Sequence, residues 1–484
     1  MANREEPFIT GKMLIGGALV EAVDGGWLDS IDPTTEQVIG RTPLGTAADV
    51  ARAYDAAKAA QPAWEALDIR QRAILINRLA DAIEARGDEI ARLEVRDTGN
   101  TIGPMRRDVD TAVERMRLAA GLGYELKGET IPATSAGLHM TLRVPYGVVG
   151  RIIPFNHPIG FAASRLASAL MPGNCIVIKP SEQSPLSACL LAELCAELMP
   201  PGTVNIVTGD GATGDAIVRH PGIKRISFIG SKATGMAIQK AAAETAVKHV
   251  TLELGGKNPM IICPDADLDA AADAAVRGMN FGWQGQSCGS TSRLMLHEDI
   301  HDEVLERVTE KVRAFRPGNP LDPQSKMGPM NSAMQYEKTL SYIDIAKSEG
   351  ARLVSGGGGP RGPGFEKGYW VEPTIFAAVT MDMRIAREEV FGPVLSVLRW
   401  RALDEAIEMA NAVDYGLTAS VWTRDIATMQ TLIRRVEAGY VWVNGTGTHF
   451  RNVPYGGAKN SGIGTEEGLD EMLSYTEVKA VNIL

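Results

Sequence analysis

Three residues stand out because of what their surroundings would let them do. Cys288 closes the segment Phe281-Gly282-Trp283-Gln284-Gly285-Gln286-Ser287-Cys288, a polar, glycine-flanked stretch that predicts an irregular loop. Cys189 and Cys195, by contrast, fall in an apolar helical pattern. A thiol of pKa about 8.5 is only a few per cent thiolate at neutral pH, so a nucleophilic cysteine needs neighbours that help it ionise. Taken alone, one cysteine among five reads as a small buried hydrophobe. Glu253 lies in Thr251-Leu252-Glu253-Leu254-Gly255-Gly256-Lys257, an apolar run where desolvation would raise a carboxyl group towards general-base range. Asn156, in Phe155-Asn156-His157-Pro158, puts an amide at the end of a strand pattern, where it can donate to a developing oxyanion.

Two other patterns carry less chemistry. His297-Glu298-Asp299-Ile300-His301 matches HExxH, which binds zinc only when both histidines sit one turn apart inside a helix. Here His297 ends a strand pattern, and Glu298-Asp299 read as acids at a helix N-terminus, so no metal is expected. Gly209-Asp210-Gly211-Ala212-Thr213-Gly214 matches GxGxxG between a strand and a helix. The ribose-binding acid expected about 20 residues later is missing, since 225–231 contains none. A plain strand-to-helix turn explains it equally well.

The elements around these residues alternate β-branched runs with alanine-rich helical stretches, which predicts an α/β chain. Apolar spacing predicts helices over 46–65, 70–96 and 107–122. Residues 125–149 turn strand-like and interrupt the alternation, which suggests an arm. From Val148 come strand 148–153, helix 159–170, strand 175–178, helix 185–197, strand 204–208, helix 213–219, strand 225–228 and helix 232–245. Short connections between such units predict a parallel sheet with right-handed crossovers. A second series follows: strand 259–263, helix 267–278, strand 291–296 and helix 300–313. The Gly/Pro-rich stretch 356–368 reads as a surface loop.

At 484 residues the chain is long enough for about three domains. With 45% hydrophobic and 22% charged residues it has an ordinary globular balance. Its net charge of −10 disfavours a globally basic nucleic-acid binder. Five irregularly spaced cysteines make neither a disulfide framework nor a zinc cluster. The polar stretch Met1 to Thr10 has no signal-peptide core, and no apolar run reaches the ~18 residues of a membrane span. The expectation is a cytoplasmic protein with reduced thiols and neither nucleic-acid nor membrane partners.

Seven segments in order, Pro154-Phe155-Asn156, Lys179-Pro180-Ser181-Glu182, Phe228-Ile229-Gly230-Ser231, Glu253-Leu254-Gly255-Gly256-Lys257, Gly285-Gln286-Ser287-Cys288, Glu389-Val390-Phe391-Gly392-Pro393 and Pro454-Tyr455-Gly456-Gly457, resemble the aldehyde dehydrogenase superfamily. The resemblance runs from about residue 30 to the C-terminus. It implies Cys288 as nucleophile, Asn156 with the Cys288 backbone N–H as oxyanion hole, and Glu253 as the base that activates water to hydrolyse a thioester. It also implies NAD as cofactor, with NADP possible. Lys179, Ser181 and Glu182 would meet the adenine ribose, where the Glu182 carboxylate repels a 2′-phosphate. Gly209, Gly230 and Ser231 would line the phosphate turn, and Glu389 and Phe391 would hold the nicotinamide ribose and ring. Ile153, Pro154, Phe155 and Leu254 complete the implied cofactor contacts. The implied fold has a Rossmann-like cofactor domain (1–123 and 144–254), an α/β catalytic domain (255–458) and a small β oligomerisation arm (124–143 and 470–484). Arm pairing implies a homodimer or homotetramer.

The chain departs from the family pattern at Gly282, Trp283 and Thr465, where an aromatic, an asparagine and an arginine are common. In the same register the aldehyde pocket comprises His157, Phe161, Ser287, Gly289, His449 and Tyr455, with no acid among them. Such a pocket suits a medium-sized aromatic or hydroxylated aldehyde. Arg451 close by offers a second choice, a carboxylated semialdehyde. A CoA-acylating enzyme would usually lack a carboxylate at the Glu253 position, and a non-catalytic protein on this scaffold would be expected to have lost Cys288 or Glu253.

Overall fold

The computed structural model describes residues 8–484. Most of the polar Met1 to Thr10 stretch therefore lies outside the described residues. Two large sheets organise the chain. The first has eight strands; at its centre His249–Glu253, Arg225–Ile229, Val148–Ile152, Cys175–Lys179 and Val204–Ile206 run parallel in that spatial order. Met13–Ile15 and Ala18–Val20 close one edge, and Gly462–Ile463 closes the other, antiparallel to Leu252 and Glu253. The central strands are buried along their whole length, as a parallel sheet covered on both faces requires.

The second sheet has seven strands, with Thr374–Ala377, Val394–Trp400, Arg293–His297, Pro259–Ile262, Thr418–Trp422 and Tyr440–Val443 parallel and Arg352–Ser355 antiparallel at one edge. Strand alternation gives it a core on each face. Met260, Ile262, Leu294 and Leu296 pack in one cluster, while Ile261, Met295 and Leu398 pack in the other.

Strand Leu138–Pro145 pairs antiparallel with Thr476–Ile483 over eight residues, and Thr130–Ile131 adds a third strand. The strand thus runs two residues beyond the expected arm boundary. Met472 and Tyr475, inside the expected 470–484 segment, instead pack into the core of the first sheet.

The helices differ from the sequence expectation in two places. The stretch 70–96 is two helices, Ile69–Ala85 and Gly87–Thr98, parted at Arg86, next to a glycine of low helix propensity. The stretch 159–170 is likewise divided, into Pro158–Ser164 and Leu166–Leu170, at the buried Arg165. In the Gly209 to Gly214 motif, Asp210 caps the helix Gly211–Arg219 by accepting from the Ala212 and Thr213 N–H groups. His297 closes a strand and His301 opens a helix, so the HExxH histidines share no helix face.

Candidate active site

Left-handed backbone shapes the turn that carries Cys288. Asn280 and Gln284 have φ of 55° and 52°, and Gly285 has φ of 68°. A Cβ on Gly285 would sit 2.2 Å from the Gly392 carbonyl oxygen, so only glycine lets these loops touch. Asn258 ties the turn down: its Nδ2 donates to the carbonyls of Cys288 at 2.7 Å and Ser290 at 2.9 Å, and its Oδ1 accepts from the Thr418 N–H at 3.0 Å. All five cysteines are free, and Cys288 is the one not fully buried. Its Sγ lies 3.9 Å from the Tyr455 hydroxyl. Burial pushes the thiol up to about 12, with the Tyr455 hydroxyl and the Gly289 N–H pulling it down.

Asn156 sits between strand Val148–Ile152 and helix Pro158–Ser164. Its Nδ2 donates to the Gln286 carbonyl at 3.0 Å, two residues before Cys288. Asn100 Nδ2 donates to the Asn156 carbonyl at 3.1 Å, and the buried Asn156 Oδ1 has no partner. Glu253 ends strand His249–Glu253 with 5% of its surface exposed and no partner for either carboxylate oxygen. Burial first, and the Glu466 charge second, raise its pKa well above the ordinary carboxyl range, opposed by Arg165. The Glu253 charge is felt at both Cys288 and Tyr455, so the structure brings nucleophile, amide and carboxyl candidates to one place.

A second buried polar group borders them, which the sequence reading missed. Arg165 reaches Glu466 at 3.3 Å, Glu467 at 3.2 Å and Glu471 at 3.2 Å; Arg151 reaches Glu466 at 3.1 Å. Arg115 and His449 add contacts to Glu467 at 2.8 and 3.0 Å. Against burial, the His449 hydrogen bond and the Arg165 and Arg115 charges hold the Glu467 carboxyl far below its usual range. The one signal in the sequence was the adjacent pair Glu466-Glu467 just before a glycine.

The expected pocket residues form two aromatic groups. His157 lies 5.5 Å from Phe161 and 5.4 Å from Trp283, while His449 stacks on Tyr455 at 4.4 Å. Ser287 and Gly289 flank Cys288, and a Cβ on Gly289 would sit 3.6 Å from the Tyr455 hydroxyl. Two acids press on these histidines from behind. Asp108 bonds His157 Nδ1 at 2.7 Å, and Glu467 bonds His449 Nδ1 at 3.0 Å. Arg451 is largely exposed and paired with Glu114 at 2.5 Å.

The residues that the resemblance assigns to the cofactor gather at the C-terminal ends of the first sheet's parallel strands, where open α/β sheets bind ligands. Lys179 ends its strand, and its Nζ donates to the Pro180 carbonyl at 2.9 Å and to Glu182 at 3.0 Å. Ser181 accepts from the Gln183 N–H. Gly209 follows strand Val204–Ile206, and Gly230 follows Arg225–Ile229. Ser231 caps the helix Lys232–Thr245 by accepting from the Thr234 N–H, which leaves a positive helix N-terminus facing this edge. Ile153, Pro154 and Phe155 continue from strand Val148–Ile152, and Leu254 from His249–Glu253. Across the cleft, Glu389 accepts from the Gly256 N–H at 2.9 Å. Phe391 has a φ of 56° and packs edge-on to Phe155 at 5.8 Å. Gln335 Nε2 holds that turn by donating to the Val390 and Phe391 carbonyls, another contact the sequence did not signal.

The family model "Aldehyde dehydrogenase family" matches residues 20–481. Aldehyde dehydrogenase tropH of Talaromyces stipitatus is 47% identical over 462 residues, which cover 94% of this chain and 90% of that protein. The NAD-dependent aldehyde dehydrogenase of Sinorhizobium meliloti superposes with a TM-score of 0.96 at 38% identity, covering 100% of this chain and 96% of that one. The NAD+ complex of an aldehyde dehydrogenase from Bacillus cereus gives a TM-score of 0.94 at 40% identity, covering 98% and 96%.

Proposed function

This chain belongs to the aldehyde dehydrogenase family, and from that premise we propose that it oxidises an aldehyde to the carboxylic acid with NAD through a thioester on Cys288. The observation that carries the reading is the buried, unpartnered Glu253 carboxyl group beside a thiol that is not fully buried. The Cys288 thiol gives up its proton to solvent and its sulfur adds to the aldehyde carbon, giving a thiohemiacetal. Asn156 Nδ2 and the Cys288 backbone N–H stabilise its oxyanion. The chemistry that bound NAD supplies is acceptance of the hydride, which turns the thiohemiacetal into a thioester. Glu253 then takes a proton from the water that hydrolyses the thioester, a task its raised pKa suits. The sum is aldehyde, NAD+ and water giving acid, NADH and a proton.

The residues at the sheet edge fit a dinucleotide. Lys179, Ser181 and Glu182 would hold the adenine ribose. Gly209, Gly230 and the helix start at Ser231 would hold the pyrophosphate, with Ile153, Pro154, Phe155 and Leu254 as the floor and Glu389 and Phe391 at the nicotinamide end. A carboxylate at Glu182, paired with Lys179, would repel a 2′-phosphate and so favours NAD over NADP. Solved relatives include both an NAD+ complex and an NADP complex, which supports a nicotinamide dinucleotide without choosing between the two.

The pocket around His157, Phe161, Ser287, Gly289, His449 and Tyr455 suits a medium-sized aromatic or hydroxylated aldehyde. The semialdehyde alternative loses ground because Arg451 is already paired with Glu114. Glu253 argues for water rather than CoA as acyl acceptor. The division into cofactor, catalytic and arm segments follows the family, and the arm's paired strands suggest a homodimer or homotetramer. Five free thiols suit a reducing, cytoplasmic setting. The test is NADH formation across aromatic, aliphatic, amino and carboxylated aldehydes without CoA. The reading expects turnover, fastest with the aromatic or hydroxylated class. Silence from folded protein that binds NAD would overturn it.

A further inference from the structure

Tyr455 is 5% exposed, and its ring has little freedom. Its backbone exchanges two N–H to carbonyl hydrogen bonds with Glu466, at 2.8 and 2.7 Å. His449 stacks on the ring with centroids 4.4 Å apart, and Tyr440 packs tilted against it at 5.4 Å. Leu417 and Trp442 complete this cluster, and Cys288 packs on it. A buried phenol needs a hydrogen-bond partner. Among the described residues the Tyr455 hydroxyl has one, the Cys288 sulfur at 3.9 Å.

That partner brings the hydroxyl into the chemistry. While the thiol is protonated either group can donate; once the sulfur is an anion only the hydroxyl can. The charges that bear most on Cys288 are those of Glu389 and Glu253, and both oppose its ionisation. Help comes from neutral donors, the Tyr455 O–H and the Gly289 N–H. The imidazole of His449, stacked on the tyrosine, has its Nδ1 engaged by Glu467. Burial and the Cys288 and Glu253 charges hold the phenol well above its ordinary range, so it stays protonated.

We propose that Tyr455 is a catalytic residue, whose hydroxyl donates to the Cys288 sulfur whenever that sulfur carries negative charge and keeps its own proton throughout. The inference rests on the thioester reading above and adds a group to it. Sulfur is anionic twice in that reaction. It is so before the C–S bond forms, once the thiol proton has gone to solvent. It is so again when hydrolysis breaks the C–S bond and the electron pair stays on sulfur. One donor thus serves both attack and release, while Asn156 serves the oxyanion between them. Hydrogen bonds to an ionised acceptor are roughly twice as strong as neutral ones, and a long one tightens as the charge develops.

The test is the rate at which iodoacetamide alkylates Cys288 at neutral pH, with the labelled peptide identified by mass spectrometry. The other four thiols are buried, so the label reports on this one. Tyr455→Phe keeps the ring and removes only the donor. It should slow alkylation several-fold, because the loss of thiolate outweighs the gain in nucleophilicity, and should lower kcat/KM for aldehyde oxidation at least as much. Replacing Tyr455 with a ring-fluorinated tyrosine, a stronger donor of nearly the same shape, should speed alkylation. Opposite shifts from two replacements of similar size exclude a packing effect. Should Tyr455→Phe fail to fold, the fluorinated protein decides alone. Alkylation indifferent to the change would overturn the proposal, while NADH formation by the wild type kept the thioester reading intact. A wild type that oxidises no aldehyde, yet whose alkylation depends on Tyr455, would overturn that reading and the catalytic role with it.

Discussion

Two buried polar regions meet behind Cys288, and they differ in how their charges are paired, although Arg151 Nε, Arg165 Nε and Glu471 Oε1 also lack a hydrogen-bond partner. Around Arg165, charge is matched by charge: Glu466, Glu467 and Glu471 all contact its guanidinium, and Arg151 and Arg115 share the same acids. Around Cys288, polar atoms are left over. Neither oxygen of Glu253 has a partner, nor does Asn156 Oδ1, and the Lys257 ammonium four residues after Glu253 is likewise unpartnered. Burial pushes that lysine down to about 7. Native proteins satisfy nearly all buried polar groups, so a cluster of exceptions marks a place completed by a ligand or used in chemistry. The matched region is scaffold, and the unmatched one is where chemistry can happen.

If that division is right, breaking each region should damage a different property. Glu253→Gln should reduce steady-state NADH formation by roughly 10²–10⁴-fold, the usual range for losing a general base, and should not lower thermal stability. Initial rates and a melting curve on the same preparation check both halves. Arg165→Met should do the reverse in kind: it removes the cation that three buried carboxylates share, and breaking such a network typically costs about 3–5 kcal/mol, read as a large fall in melting temperature.

A subtler contrast lies in pH. Glu467 has its carboxyl pKa lowered on folding, so its stabilising contribution is present above the ordinary value of 4.5 and fades as pH falls below it. Glu467→Gln should therefore melt below the wild type at pH 7, and the gap should shrink as pH drops below 4.5. Glu253 has its pKa raised, so its protonated form suits the fold. Its contribution is present in acid and is lost as pH rises through the raised value. Glu253→Gln should thus gain on the wild type progressively as pH rises above 4.5. Melting curves over a pH series separate the two signs.

The sequence made the unmatched region legible and hid the matched one. Cys288, Glu253 and Asn156 carry their chemistry in local context: a glycine-flanked loop, an apolar run, a strand end. The parallel pairing of the first sheet also followed from the alternating pattern. Arg165 sits in an apolar helical stretch, and its partners lie about three hundred residues later, so nothing local marks it. Asp108 and Glu467 stayed hidden behind His157 and His449 for the same reason, since their role depends on tertiary contact. The broken helices at Arg86 and Arg165 were missed because periodicity continues across a one-residue interruption.

The most direct test of the central claim is to trap the acyl group. Glu253→Gln protein would be mixed with NAD and an aromatic aldehyde, quenched in acid, and its peptides weighed by mass spectrometry. The account predicts an acyl thioester on the peptide carrying Cys288, accumulated because hydrolysis is slowed, and no such adduct in Cys288→Ser. An adduct on another residue, or NADH formed with no acyl group on Cys288 at any time, would contradict it.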